Sequence, residues 1–200
     1  MIEGLRGQVL DILSYTWPTM VMGIIIAVLL RVTYLLSERK KIILHNELFK
    51  LSFMIYILCL FYVVTFQDVS WSSHNFIPFK EILRYDFGTS LFYKNIFGNM
   101  LLFLPYGIFI AKYVKTDKLF VVFLLAFITS LSIEVVQFLI GRVFDIDDII
   151  LNIVGCLVGF ILYRWFKKIN NKLPEFFRKD LFWNIVSLII LGGLIWFLIP

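Results

Sequence analysis

Amide and carboxylate side chains recur at helical spacing in the second half of the chain. Asn95 and Asn99 are four residues apart, and so are Asp148 and Asn152, so each pair shares one face of a helix. Polar groups at bilayer depth are costly, usually face the interior of a bundle and often mark a site. We therefore predict a ligand-binding or functional polar layer made of Asn95, Asn99, Glu134, Gln137, Arg142, Asp145, Asp147, Asp148 and Asn152.

The acidic cluster after Arg142 allows three interpretations. Asp145 or Asp147 can cap the following helix, whose positive N-terminal end favours carboxylates, and Arg142 can pair with one of them. The same residues can instead hold a ligand or substrate. A hard cation is the third interpretation, although the D-x-D-D spacing alone is unspecific.

Glu134 allows two interpretations of its own. A carboxylate buried alone in an apolar helix loses its charge, so a buried Glu134 needs partners. It can hydrogen-bond Asn99 or Asn152 as structural glue, or it can accept a proton or contact a ligand.

Motifs for common kinds of catalysis are missing from the sequence. His45 and His74 lie in different loops, no Ser or Cys has a neighbouring base, and no glycine-rich phosphate loop is present. We expect no metal and no cofactor, and the sequence leaves open whether the protein is an enzyme.

The composition is that of an integral membrane protein. Of the 200 residues 60% are hydrophobic and only 16% are charged, against about 25% charged in a soluble domain. The mean hydropathy is +0.89. The net charge of +5 comes from short loops beside apolar segments, so it does not indicate a nucleic-acid partner.

Apolar segments predict an all-α helical bundle of about six transmembrane helices, or five if an end segment lies flat, in a single membrane domain over residues 1–200. The segment 67–94 has amphipathic character and is expected to be an interfacial connection or a lid over the polar layer. The six segments are 15–36, 48–66, 95–114, 119–139, 149–166 and 182–199.

The distribution of basic residues predicts the orientation. Alternating loops assign fourteen Lys and Arg to one side of the membrane and five to the other. The richer side should be cytoplasmic, so both termini and the whole polar layer should face outward.

Glycine and proline residues indicate where helices approach closely or bend. Gly155 and Gly159 remove side chains from one face and allow close packing, and Gly98 is assigned the same role. Pro105 removes a backbone hydrogen bond inside the third helix, so we expect a kink that is either a structural bend or an opening between helices.

An ordered set of motifs over successive helices resembles the VanZ-like family, which is associated with teicoplanin resistance. The motifs are Asn75-x-x-Pro-Phe79, Asn95-x-x-Gly-Asn99-x-x-Leu-Phe-x-Pro105-x-Gly107, Glu134-x-x-Gln137, Arg142, Asp145-x-Asp-Asp148, Asn152-x-x-Gly155 and Gly159. The resemblance covers approximately residues 50–165 and leaves the helices 15–36 and 182–199 outside it.

This resemblance implies a multi-pass protein of the cell membrane of a Gram-positive bacterium, with low-level resistance to teicoplanin and other lipid-tailed glycopeptides, and no settled reaction. Such a protein would act on the envelope or the drug at the outer leaflet. Two alternatives remain: a membrane enzyme acting on an envelope lipid or cell-wall-linked polymer, and a transporter or assembly scaffold. The expected partners are membrane lipids and a lipid-tailed glycopeptide or envelope lipid; the oligomeric state is open.

Overall fold

The fold is helical throughout the part of the chain that the structure describes. This computed structural model describes residues 2–39, 42–66, 74–89, 92–114 and 116–198. Within those residues the only extended pairing is an isolated bridge between Asn75 and Asp145. The predicted all-α class is confirmed.

In the described part of the chain, six long helices occupy the six predicted segments. Hydropathy locates the apolar centre of each helix, but polar turns extend two of them, so α1 begins well before residue 15 and α5 begins before residue 149. The helices are α1 Ile2–Ser37, α2 Leu44–Phe66, α3 Gly98–Tyr113, α4 Leu119–Leu139, α5 Ile146–Asn170, the short α6 Glu175–Arg178 and α7 Asp180–Leu198. A π-helical stretch Tyr93–Phe97 leads directly into α3, and a 3-10 turn spans Ile82–Arg84.

The chain divides into two compact units. One unit comprises Met1–Val63 with Asn170–Pro200, and the other comprises Val64–Ile169, called here the central unit. Every residue of the predicted polar layer lies in the central unit, whereas the predicted extra helices at the two ends of the chain lie in the other.

Three described helices are long and apolar enough to cross a membrane. They span Asn95–Tyr113, Leu119–Leu139 and Ile146–Asn170, all in the central unit apart from the last residue. Val21–Ser37 and Asp180–Gly193 are shorter apolar stretches. A count of six spans and the side of each terminus stay predictions.

Glycines bring α3 and α5 into backbone contact. A Cβ added to Gly155 would lie 2.0 Å from the carbonyl oxygen of Met100, and one added to Gly159 would lie 2.0 Å from that of Leu104. In return, a Cβ on Gly107 of α3 would lie 1.9 Å from the carbonyl oxygen of Cys156. No side chain separates the two helices at these points, which is the close approach that the Gly155 and Gly159 spacing predicts.

Gly98 and Pro105 contribute differently to this packing. A Cβ on Gly98 would meet no atom within 4 Å, so this glycine makes no close approach. It stands at the first residue of α3, ahead of the contacts with α5. Pro105 lies inside α3, which continues as α-helix on both sides of it. The expected kink at Pro105 stays a prediction.

The apolar core of the central unit is shared by its three helices. Phe103 of α3, Val122 and Ala126 of α4, and Cys156 and Phe160 of α5 are all fully buried. Cys156 is a free thiol, and its burial fits a small packing residue. This core and the glycine contact hold the polar ends of α3, α4 and α5 in one place.

Candidate functional site

The site begins at the first turn of α5, which Asp145 caps. Its Oδ1 accepts the backbone N–H of Asp147 at 2.9 Å, the bond expected of an N-terminal capping residue. The same oxygen accepts Nδ2 of Asn75 at 2.8 Å. Burial raises the pKa of Asp145, although both hydrogen bonds oppose the shift. The capping interpretation of the acidic cluster therefore fits Asp145.

The carboxylate of Asp147 binds backbone N–H groups of the loop that contains residues 79–82. Its carboxylate accepts the N–H of Phe79, that of Glu81 at 2.7 Å and that of Ile82 at 3.2 Å. The side chain is 1% exposed. A buried carboxylate needs several donors to remain stable, and this segment supplies them. Asp147 thus holds residues 79–82 against the start of α5.

Phe79 shows how strongly this loop is held. Its φ of 67° lies in the left-handed region, which a bulky side chain rarely adopts. Such a conformation persists only where surrounding contacts determine it, and here the Phe79 N–H points at Asp147.

Asn75 joins the same region by both backbone and side chain. Its N–H donates to the carbonyl of Phe144 at 2.9 Å, and its own carbonyl accepts the N–H of Ile146 at 3.0 Å. Its Oδ1 accepts the N–H of Ile77 at 3.1 Å, which sets the turn. Asn75 is 2% exposed. We call Asn75, Asp145 and Asp147 the anchor cluster, because they attach the 74–82 segment to α5.

Glu134 is buried near the end of α4 and binds two neighbours. Its Oε2 accepts the N–H of Asp145 at 2.9 Å. In the amide orientation that satisfies both partners, Gln137 donates to Oε1 of Glu134 at 3.0 Å and accepts from Arg142 at 2.9 Å. Between Gln137 and Arg142 the chain turns at Gly141, whose φ of 86° suits glycine.

Asn99 and Asn152 were predicted to hydrogen-bond Glu134, and this prediction was wrong. Their amides bind elsewhere: Asn99 donates to Asp148, and Asn152 donates to Ser130 Oγ at 2.9 Å. Depth in the membrane placed these residues in one layer, but depth carries no information on which helix face meets which. The partners of Glu134 are instead Asp145 and Gln137.

Asp148 differs from Asp147 in that it remains partly exposed. Its Oδ1 accepts Nδ2 of Asn99, and its Oδ2 accepts no hydrogen bond from a described residue. Asn99, Gln137, Arg142 and Asp148 are all partly exposed, and we call them the open cluster.

Asn152 lies one turn below Asp148 on the same face of α5. Asn152 and Ser130 are both buried. The Oδ1 of Asn152 is buried and has no partner among the described atoms. Together with Oδ2 of Asp148, it gives this face two acceptors that lack donors from the described part of the chain.

Asn95 belongs to neither the anchor cluster nor the open cluster. It lies in the π-helical turn ahead of α3, and it makes no side-chain hydrogen bond with another described residue. Within the described residues, no group of three or more His, Cys, Asp and Glu side chains has an arrangement that could hold a metal ion. The partly exposed side chains of the open cluster offer amide groups, one carboxylate and one guanidinium for hydrogen bonding.

Sequence reasoning missed two features of this region. It included Asn75 only in a family motif and not in the polar layer, and it assigned Asp147 to the same layer as Asp148. The left-handed Phe79 and the bridge between residues 75 and 145 depend on contacts far apart in the chain, so helical periodicity could not reveal them.

A family model described as VanZ/LLP1 matches residues 53–167. This range covers more than half of the chain and contains both clusters. No curated protein and no solved structure matches the chain.

Proposed function

Because the chain belongs to the VanZ/LLP1 family, we propose that its open cluster binds the polar part of a lipid-tailed ligand at the outer leaflet of the cell membrane. The ligand is teicoplanin or another lipid-tailed glycopeptide, or an envelope lipid near which such a drug acts. The outcome for the cell is low-level resistance to these drugs in a Gram-positive bacterium.

The observation that carries this proposal is the free acceptor on Asp148. A partly exposed carboxylate with one oxygen not bound to any described residue favours a donor from outside the chain. The unpartnered Oδ1 of Asn152 lies one turn away and favours a second donor. Sugar hydroxyls, amide N–H groups and amines all supply donors of this kind.

Membrane geometry supports a ligand that carries a lipid tail. The open cluster lies at the ends of three apolar helices, and all three expose large apolar side chains, among them Leu101, Leu139 and Ile161. A hydrocarbon tail can remain among such side chains while its polar part reaches the cluster. The excess of Lys and Arg in the opposite loops supports an outward-facing cluster.

The test is a drug-susceptibility assay in a susceptible Gram-positive host. The wild type is compared with Asp148→Asn, with an empty vector, and with Asp86→Asn as a matched control in an exposed loop. We expect the wild type and Asp86→Asn to raise tolerance to teicoplanin but not to vancomycin, and Asp148→Asn to lose this effect at equal membrane abundance. Equal tolerance in wild type and empty vector would remove resistance as the function.

If the protein is an enzyme, the hydrogen bonds of Glu134 bear on which carboxylate acts as the general base. Both Glu134 oxygens already accept hydrogen bonds, so Asp148 is the better candidate for a general base. If Asp148→Asn abolishes turnover of an envelope lipid while Glu134→Gln mainly lowers stability, this alternative replaces binding.

A further inference from the structure

A cavity lies between α1 and α2, in the unit that does not contain the candidate site. Its volume is about 360 Å³, and its walls are largely apolar, with Ala27, Val28 and Leu35 from α1 and Leu51 and Met54 from α2. This size suits part of a hydrocarbon chain better than a single water molecule.

Three charged side chains line the same cavity. Arg31 donates two hydrogen bonds to Glu47, at 2.7 Å and 3.0 Å, and Lys50 donates a third at 2.7 Å. Two cations share one carboxylate, so the formal charges of these three side chains sum to +1. The side chains are 37%, 20% and 40% exposed for Arg31, Glu47 and Lys50, so an external anion can reach them.

We propose that this cavity binds a phospholipid with an anionic headgroup, with its phosphate at Arg31 and Lys50 and an acyl chain along the apolar wall. The positive charge selects the headgroup, because an extra anion balances the two cations. Ala27 is one helical turn from Arg31, and Met54 is two turns from Glu47, so apolar wall continues beyond the charges for the tail.

The predicted orientation puts this cavity toward the cytoplasmic leaflet. Arg31 and Lys50 flank the connection between α1 and α2, on the side that carries most Lys and Arg. The cytoplasmic leaflet is the one rich in anionic lipid. The cavity and the two clusters belong to different units of the chain, and α1 lies outside residues 53–167, the range that the family model matches.

Lipid retention by the purified full chain tests this proposal. Native mass spectrometry would compare phosphatidylglycerol with phosphatidylcholine of the same acyl chains, and we expect about fivefold stronger retention of phosphatidylglycerol. The triple variant Arg31→Gln, Glu47→Gln, Lys50→Gln removes all three charges together and should remove this preference. Lys168→Gln changes the net charge equally on an exposed part of α5 and should keep it.

A second variant predicts a change of opposite sign. Glu47→Gln leaves Arg31 and Lys50 without their carboxylate, so retention of phosphatidylglycerol should rise, whereas Glu175→Gln, at an exposed position with the same charge change, should have no effect. A purely structural ion cluster would instead give a less stable protein with unchanged or weaker retention.

The tail and the headgroup are separated by Ala27→Trp, which fills the cavity and leaves the charges in place. This variant should lower the retention of phosphatidylglycerol and should not raise that of phosphatidylcholine. Glycerol phosphate, which has no acyl chain, should compete poorly with phosphatidylglycerol. Equal retention of both lipids by the wild type, or strong competition by glycerol phosphate, would overturn the proposal. Thermal melting of each variant shows whether it is folded.

Discussion

Asp147 and Asp148 are neighbours in α5, yet their carboxylates have different environments. Asp147 is 1% exposed and accepts three backbone N–H groups, whereas Asp148 is partly exposed and is held by the amide of Asn99. Successive residues of a helix point about 100° apart, so one turn of α5 directs one carboxylate to the 74–82 segment and the other to α3. Two identical and adjacent residues thus differ: Asp147 is buried and binds the backbone of the loop, whereas Asp148 keeps part of its side chain exposed.

Removing the carboxylate of Asp147, in the anchor cluster, should lower the free energy of unfolding more than any other change considered below. Asp147→Ala leaves three backbone N–H groups without their acceptor, and we expect it to lower the free energy of unfolding by about 3 kcal/mol or more. Denaturant titration of the purified protein in micelles measures this loss. The comparison between the two carboxylates fails if Asp148→Ala costs as much.

The second-largest loss of unfolding free energy should come from a change at the contact between α3 and α5. Gly155→Ala puts a Cβ against the carbonyl of Met100, so α3 and α5 must move apart, at a cost of about 2 kcal/mol. Gly98→Ala is the matched control, because a Cβ there meets open space and alanine favours helix. Equal unfolding midpoints for the two variants would contradict the backbone contact.

A smaller effect is expected at the amide of the anchor cluster. Asn75→Ala removes the donor to Asp145 and the acceptor for Ile77, but it keeps the backbone bridge, so we expect a loss of about 1–2 kcal/mol. Faster proteolysis within residues 74–89 should accompany this loss. Asn95→Ala removes an amide that binds no described residue and should leave both measurements unchanged.

The smallest effect on stability should come from the open cluster. Asp148→Asn keeps the size of the side chain and an acceptor oxygen for Asn99, so the free energy of unfolding should change by less than about 1 kcal/mol. The same variant should lose the teicoplanin phenotype. If it instead unfolds as readily as Asp147→Ala, Asp148 is a second anchor and not a binding residue.

Hydropathy was sufficient to locate the six helices, because twenty apolar residues in succession have few alternatives to a buried or lipid-facing helix. Helical spacing also identified which polar residues share a face, as with Asp148 and Asn152. The spacing of Gly155 and Gly159 predicted the close approach of α5 to a neighbour, although it did not identify Gly107 as their counterpart on α3.

The pairing of faces was beyond sequence reasoning. Whether a carboxylate at the start of α5 meets α3, α4 or a loop depends on the rotation of each helix, and one sequence does not fix that rotation. Asp147 therefore seemed equivalent to Asp148, and Glu134 was assigned the wrong partners. The Phe79 conformation is equally hidden, since nothing in its residue type favours a positive φ.

The glycine contact between α3 and α5 also has a mechanical consequence. Carbonyl oxygens of Met100 and Leu104 sit in notches left by Gly155 and Gly159, and Gly107 offers the reverse notch. Sliding either helix along the other by one residue, about 1.5 Å, would drive a side chain into a carbonyl. The contact therefore prevents α3 and α5 from sliding along each other in the direction of their axes. Asn99 of α3 and Asp148 of α5 are therefore held at the same level along the two helices.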